Sequence, residues 1–142
     1  MIKNNKYDDL SIVIPAYNEE NGIALVIKNL SEHLPGAEII IVNDGSQDKT
    51  EENAIDMAKK YQNVHIYNHT FNRGYGAALK SGMEKSTNKF IAWFDSDNEH
   101  KVEDLVGMHK KINDENLACV ISRRTNKSAS IVKGVGKWLI RM

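Results

Sequence analysis

The chain has 142 residues, 41% of them apolar, and its 19 basic side chains balance 19 acidic ones. That length is enough to bury one real core and reads as a single domain over 1–142. A net charge of zero excludes a broad pull toward nucleic acid or an anionic bilayer, so a bound phosphate must be held by a local site.

Met1 to Asp9 lacks the apolar stretch of a signal peptide, and nowhere do roughly 20 consecutive apolar residues occur. This fits a cytoplasmic protein and leaves the inner face of a membrane open as its place of work. The first apolar run, Leu10 to Ala16, reads as a strand. Ile23, Val26, Ile27, Leu30 and Leu34 then follow helical spacing until Pro35-Gly36 stops it. A second strand spans Glu38 to Asn43. Asp48 and Glu51 resemble a capping box opening a second helix, whose buried stripe is Ala54, Met57, Ala58 and Tyr61. Val64 to Asn68 is a third strand, a helix follows over Tyr75 to Glu84, and Phe90 to Phe94 is a fourth strand. Val102 to Asn113 is a helix with Val102, Leu105, Val106 and Ile112 inward, and Ala118 to Ser122 is a fifth strand. Arg124 to Ser130 is polar enough for a loop. Val135, Trp138, Leu139 and Ile140 look like the apolar face of a helix just begun, which reads as truncation. The alternative is a short terminal helix packed on its own domain or on a second copy in a homodimer. Alternation of strand and helix, with several strands continuously apolar, indicates an α/β protein with a mostly parallel sheet covered on both faces.

In such a sheet, ligands bind beyond the carboxyl ends of the strands, where strand order reverses. The first strand runs into Pro15-Ala16-Tyr17-Asn18-Glu19, the second into Asn43-Asp44-Gly45-Ser46, and the fourth into Asp95-Ser96-Asp97-Asn98-Glu99-His100. Polar groups therefore converge on one edge. On extended backbone Asp95 and Asp97 point the same way, an arrangement suited to a hard divalent cation, Mg2+ or Mn2+, that shares its shell with water and substrate phosphates. Glu99 is a candidate further ligand. The ordinary alternative is helix capping, but Asp97 lies about five residues ahead of the next helical pattern, too early for a simple cap. Asp44-Gly45-Ser46 reads equally well as a tight turn, and Tyr17-Asn18-Glu19 as a helix start; their joint placement favours a site.

Asn72 to Ala78 opens the third helix, where free amides and Arg73 are candidates to face phosphate or a base. Its glycines only loosely suggest a dinucleotide fingerprint, because Leu79 stands where a third small residue belongs. His33, His65, His69, His100 and His109 show no paired spacing for zinc and read as solvated or structural. The single cysteine, Cys119, lies in a strand, so neither a disulfide framework nor thiol chemistry is supported.

Ser11 to Glu19, Ile40 to Thr50, Asn72-Arg73-Gly74 and Asp95-Ser96-Asp97, in that order, resemble family 2 glycosyltransferases of the GT-A fold. The run Asp95 to His100 is similar to the Asp-x-Asp-x-x-His of dolichyl-phosphate mannosyltransferases and bacterial polyprenyl-phosphate sugar transferases. The resemblance implies that Pro15, Tyr17 and Glu19 line a nucleoside pocket and that Val42 and Asp44 contact the base or ribose, with help from Arg73. It implies that Asp95 and Ser96 touch the nucleotide, that Asp97 is the catalytic metal ligand aided by Asp95 and Glu99, and that Arg123 meets the diphosphate. Two positions depart from the pattern. Ile121-Ser122-Arg123-Arg124 stands where relatives show Gly-Ser-Arg or Gly-Thr-Arg, so Arg124 is an alternative, and Asn43 replaces a second aspartate.

The implied reaction is inverting transfer of a sugar from a nucleotide-diphosphate sugar, GDP-mannose or a UDP-hexose, to an acceptor such as a polyprenyl phosphate. No residue reads as a convincing general base, which suits an acceptor that is already ionised or acceptor elements beyond this chain. The competing classes are a noncatalytic nucleotide-sugar-binding fragment or interaction module, which binds without transfer, and an NAD-dependent oxidoreductase, which requires the Gly74 region to be a fingerprint.

Overall fold

The computed structural model describes residues 6–97, 101–122 and 137–141. Its elements in chain order are β1 (Leu10–Ala16), α1 (Ile23–His33), β2 (Glu38–Asn43), α2 (Thr50–Lys60) and β3 (Val64–Asn68), followed by α3 (Tyr75–Lys85), β4 (Phe90–Trp93), α4 (Val102–Asp114), β5 (Cys119–Ser122) and β6 (Lys137–Arg141). The strands form one sheet in the order β3-β2-β1-β4-β6-β5. The pairs among β3, β2, β1 and β4 are parallel, whereas β6 runs antiparallel to both β4 and β5. The expected α/β class, with helices on both faces, is what the chain adopts.

Side-chain alternation along β1 explains the two-sided cover. Leu10, Ile12 and Ile14 face the larger core beneath α1, α2 and α4, while Val13 joins Ile40, Val42 and Ala78 in a smaller core beneath α3. Every residue of β1 is buried, and Ile39 to Val42 are fully so, which is why these strands read as unbroken apolar runs.

Pro15 marks where the sheet parts. The Val13 carbonyl accepts the Phe94 amide and the Ala16 carbonyl accepts the Asp44 amide, so odd-numbered residues of β1 address β4 and even ones address β2. Pro15 is odd, and it has no N–H to offer at the level where β4 has already ended. β1 and β4 therefore diverge there. Because β2 leaves β1 on one side and β4 lies on the other, this divergence is the topological switch point.

Three expectations need correction. The chain at 137–141 is strand rather than helix, inserted between β4 and β5 with Leu139 paired to both Ala92 and Val120 and fully buried. A short apolar run has no periodicity to separate the two states, and sheet pairing decided it. The capping box also does not form. Asp48 accepts the amides of Thr50 and Glu20, and the Glu51 carboxylate takes the Asn68 side-chain amide instead, so these side chains tie the start of α2 to the β1–α1 loop and to β3. Finally, Cys119 opens β5 and is exposed rather than mid-strand.

Candidate functional site

At the switch point lies a cleft of about 320 Å³ lined by Pro15, Ala16, Tyr17, Glu19, Asp44, Asn72, Tyr75, Asp95, Ser96 and Asp97. The ends of β1, β2 and β4 and the start of α3 thus meet, as strand-end placement in the sequence implied. The β1–α1 loop is pinned to the β2–α2 loop by reciprocal bonds. The Asn18 amide donates to Ser46 Oγ at 3.0 Å and the Gln47 amide to Asn18 Oδ1 at 2.9 Å, while the Glu19 amide donates to Thr50 Oγ1 at 2.7 Å. Asn18 takes a left-handed conformation, φ 55°, to turn Glu19 toward the cleft.

Asp44 is the hub of the cleft wall. Its Oδ1 accepts from the His69 ring at 2.6 Å and from the Arg73 amide at 2.9 Å, and its Oδ2 accepts from the Gly74 amide at 2.8 Å. Burial pulls the carboxyl upward, but these donors outweigh it and hold Asp44 below the usual carboxylate range. Gly45 makes the turn possible. Its φ is +71°, and a Cβ there would sit 2.5 Å from the Phe71 carbonyl carbon, so both conformation and space require glycine.

Asp95 and Asp97 reach the same cleft although the backbone turns at Ser96 and Asp97 instead of staying extended. Ser96 is buried, and its carbonyl oxygen lies 2.6 Å from where a Cβ on Gly22 would be, so the turn rests directly on the start of α1. The Tyr75 hydroxyl donates to Asp95 Oδ1 at 2.8 Å. Burial, then the hydrogen bond to Asp95, then the charges of Asp95 and Asp97 push the Tyr75 phenol far above its ordinary value, so it stays a donor. Across the cleft, burial raises the Glu19 carboxyl, and Asp97, Asp48 and Asp95 add like-charge repulsion in that order.

This concentration of negative charge suits a divalent cation. Among the described residues no three His, Cys, Asp or Glu side chains form a complete ion cage. One or two carboxylates completed by substrate phosphates is the arrangement hard divalent ions such as Mg2+ commonly use, and Asp95 and Asp97 supply that set. The residues therefore fit such an ion when a diphosphate is bound.

Not every residue singled out in the sequence lines the cleft. Val42 is fully buried in the core beneath α3, so its side chain is turned away from any ligand. Arg73 is exposed and joins the network through its amide. The amides of Arg73 and Gly74 are not free for phosphate, because Asp44 takes both. That also removes the basis for a dinucleotide fingerprint. Glu99, His100, Arg123 and Arg124 lie outside the described residues.

Asn72, named in the sequence only as part of a motif, lines the cleft, whereas Tyr75 as a cleft residue and His69 as a partner of Asp44 were missed. The position of Tyr75 at a helix start offered a weak signal; that of His69 offered none. His109 is structural as expected, with Nε2 2.7 Å from Asp9 Oδ1 and its ring edge-on to Tyr7 and Phe90.

A mostly parallel sheet with helices on both faces and acidic strand ends at its switch point is an architecture of the GT-A kind. Residues 11–139 match the model of glycosyl transferase family 2, and the chain belongs to that family. It is 35% identical to a dolichyl-phosphate beta-glucosyltransferase, ALG5A of Trichomonas vaginalis, over 84% of this chain and 42% of that protein. It is 34% identical to the uncharacterized protein MJ1222 of Methanocaldococcus jannaschii, over 92% of this chain and 55% of the other. The fold is similar to that of the mannosyltransferase PcManGT from Pyrobaculum calidifontis, solved with GDP-Man and Mn2+, with a TM-score of 0.78 at 18% identity, covering 94% of this chain and 44% of that one. Glucosyl-3-phosphoglycerate synthase from Mycobacterium tuberculosis, solved with Mn2+, UDP and glucosyl-3-phosphoglycerate, gives 0.72 at 22% identity, covering 93% and 56%. The chain thus spans about two fifths to just over half the length of these relatives. Among the described residues no helix is long and apolar enough to cross a membrane.

Proposed function

We propose that residues 1–142 form the donor-binding part of an inverting glycosyltransferase that uses a nucleotide-diphosphate sugar, a divalent cation and a polyprenyl-phosphate acceptor. The observation that carries this reading is the cleft itself, where Asp44, held ionised, stands opposite Asp95 and Asp97 at the switch point. A carboxylate locked in the ionised form is an acceptor only, so the ligand group it meets must be an N–H or O–H donor of a base or ribose. Tyr17, about half exposed at the rim, offers a ring face for the base.

The acidic end of the cleft repels a bare diphosphate, which makes binding there depend on a cation. Asp97, with Asp95, would hold Mg2+ or Mn2+, which when bound offsets the charge that builds on the departing nucleoside diphosphate. Tyr75 keeps Asp95 oriented, and Gly22 seats the turn that carries Asp97. A phosphate acceptor is ionised at neutral pH and attacks without a general base, so the reading requires none from the cleft. The dolichyl-phosphate relatives support such an acceptor, and it would set the reaction at the cytoplasmic face of a membrane.

The test is transfer of labelled mannose or glucose from GDP-mannose or UDP-glucose to a short-chain polyprenyl phosphate by the full-length protein. Metal-dependent formation of a lipid-linked sugar, abolished in Asp97→Ala, is the expected result. Donor binding without transfer to any polyprenyl phosphate would contradict the acceptor assignment.

A further inference from the structure

His69 and Ser81 lie outside the strand-end motifs and do not line the cleft, yet together they form a chain of side chains that ends on Asp44. His69 Nδ1 is 2.6 Å from Asp44 Oδ1, and its Nε2 is 2.9 Å from Ser81 Oγ on α3. The pair is shielded from water, with side chains 9% and 4% exposed for His69 and Asp44. Because an ionised carboxylate only accepts, Nδ1 carries the proton toward Asp44, while Nε2 pairs with the Ser81 hydroxyl. That fixes the ring's orientation from two sides.

The consequence falls on Asp44. Oδ1 is filled by His69 and the Arg73 amide, whereas Oδ2 takes the Gly74 amide and, among the described residues, keeps an acceptor direction without a further donor. A carboxylate gripped at three points cannot rotate about its terminal bond, so the open direction of Oδ2 is preset before a ligand arrives. Preset acceptors discriminate among donors because a misaligned one leaves a buried charge unpaired.

We propose that His69, braced by Ser81, is a positioning residue that aims Asp44 at the donor edge of the nucleotide. This rests on the donor-binding reading of the cleft. In this arrangement His69 touches no substrate; its effect on affinity passes entirely through Asp44.

Calorimetric titration of UDP and GDP, each with Mn2+, and of Mn2+ alone, into the full-length protein and its His69→Ala, His69→Asn and Ser81→Ala variants tests it. His69→Ala is expected to weaken binding of the preferred nucleotide on the order of tenfold. Mn2+ alone should bind unchanged, and His69→Asn, whose side-chain N–H replaces Nδ1, should restore most of the loss. Ser81→Ala, a single hydroxyl in a helix, keeps the test open even if His69→Ala fails to fold, and is expected to weaken nucleotide binding about threefold. Wild-type nucleotide binding that is equally tight in Ser81→Ala and His69→Ala overturns the positioning role and leaves the donor site standing. Loss in His69→Ala of nucleotide and Mn2+ affinity alike, without rescue by His69→Asn, also overturns it, as that is the signature of general loosening. Failure of the wild-type protein to bind either nucleotide overturns the donor-site reading and this proposal with it.

Discussion

Replacing Asp44 with alanine removes the acceptor for three donors at once: the His69 ring and the amides of Arg73 and Gly74. A buried donor left without a partner costs about 1–3 kcal/mol. The three are coupled through one side chain, and cleft water can satisfy part of the deficit, so the sum is smaller than three independent losses. We expect a loss of about 2–4 kcal/mol, a large share of the roughly 5–15 kcal/mol that holds a domain together. Asp44→Asn keeps one acceptor oxygen but turns an NH2 toward a donor, and should lose about half as much. The pH dependence gives a second handle. The carboxyl lies below its unfolded value of 3.8, so its contribution is fully present above that value and is lost as pH falls through the folded one. The gap between wild type and Asp44→Asn in urea unfolding should therefore be widest near neutrality and close in acid. Equal midpoints for wild type and Asp44→Ala at neutral pH, with equal slopes, would refute the hub role of Asp44.

Two further outcomes follow from the same geometry. Gly22→Ala places a Cβ 2.6 Å from the Ser96 carbonyl, so the turn bearing Asp95 and Asp97 must shift. Metal-dependent nucleotide affinity should fall several-fold, read by calorimetry, with a stability loss of only about 1–2 kcal/mol. Glu19→Gln removes a carboxyl whose ionisation is opposed by burial and by Asp97, Asp48 and Asp95. Because its folded value is raised, ionising it destabilises the fold as pH rises above 4.5, so the variant should unfold at a higher denaturant concentration at neutral pH and match wild type in acid. The same change should weaken Mn2+-dependent nucleotide binding, since it removes charge that attracts the cation.

The parts of this molecule that could be read from its sequence are those where one periodicity or one strand-end motif had no competitor. β1, β2 and β3 were expected at the bounds they occupy: β1 and β2 as nearly unbroken apolar runs between helical stretches, and β3, at the sheet edge, as a strand-length run between two helices. The edge on which Pro15, Asp44 and Asp95 converge was legible from the same logic. β6 was not, because Trp138 to Ile140 is too short to show a period, and its state is set by Ala92 and Val120 from distant parts of the chain. The extended backbone assumed for Asp95 to Asp97 gave way to a turn because Ser96 packs against Gly22, a contact with no signature in spacing. His69 escaped notice for a related reason. A lone histidine after a strand says nothing until the fold brings Asp44 and Ser81 to its two nitrogens. Val42, conversely, carried a ligand role by resemblance alone, while the alternation of β2 turns its side chain under α3.

The central claim is a metal-dependent nucleotide site, and calorimetric titration of UDP, GDP and their sugar conjugates with and without Mn2+ tests it most directly, with Asp97→Ala as control. The account predicts that one nucleotide series binds, that Mn2+ strengthens it at least tenfold, and that Asp97→Ala removes the metal effect while leaving the fold intact. Binding equally tight without metal, or unchanged in Asp97→Ala, would contradict it.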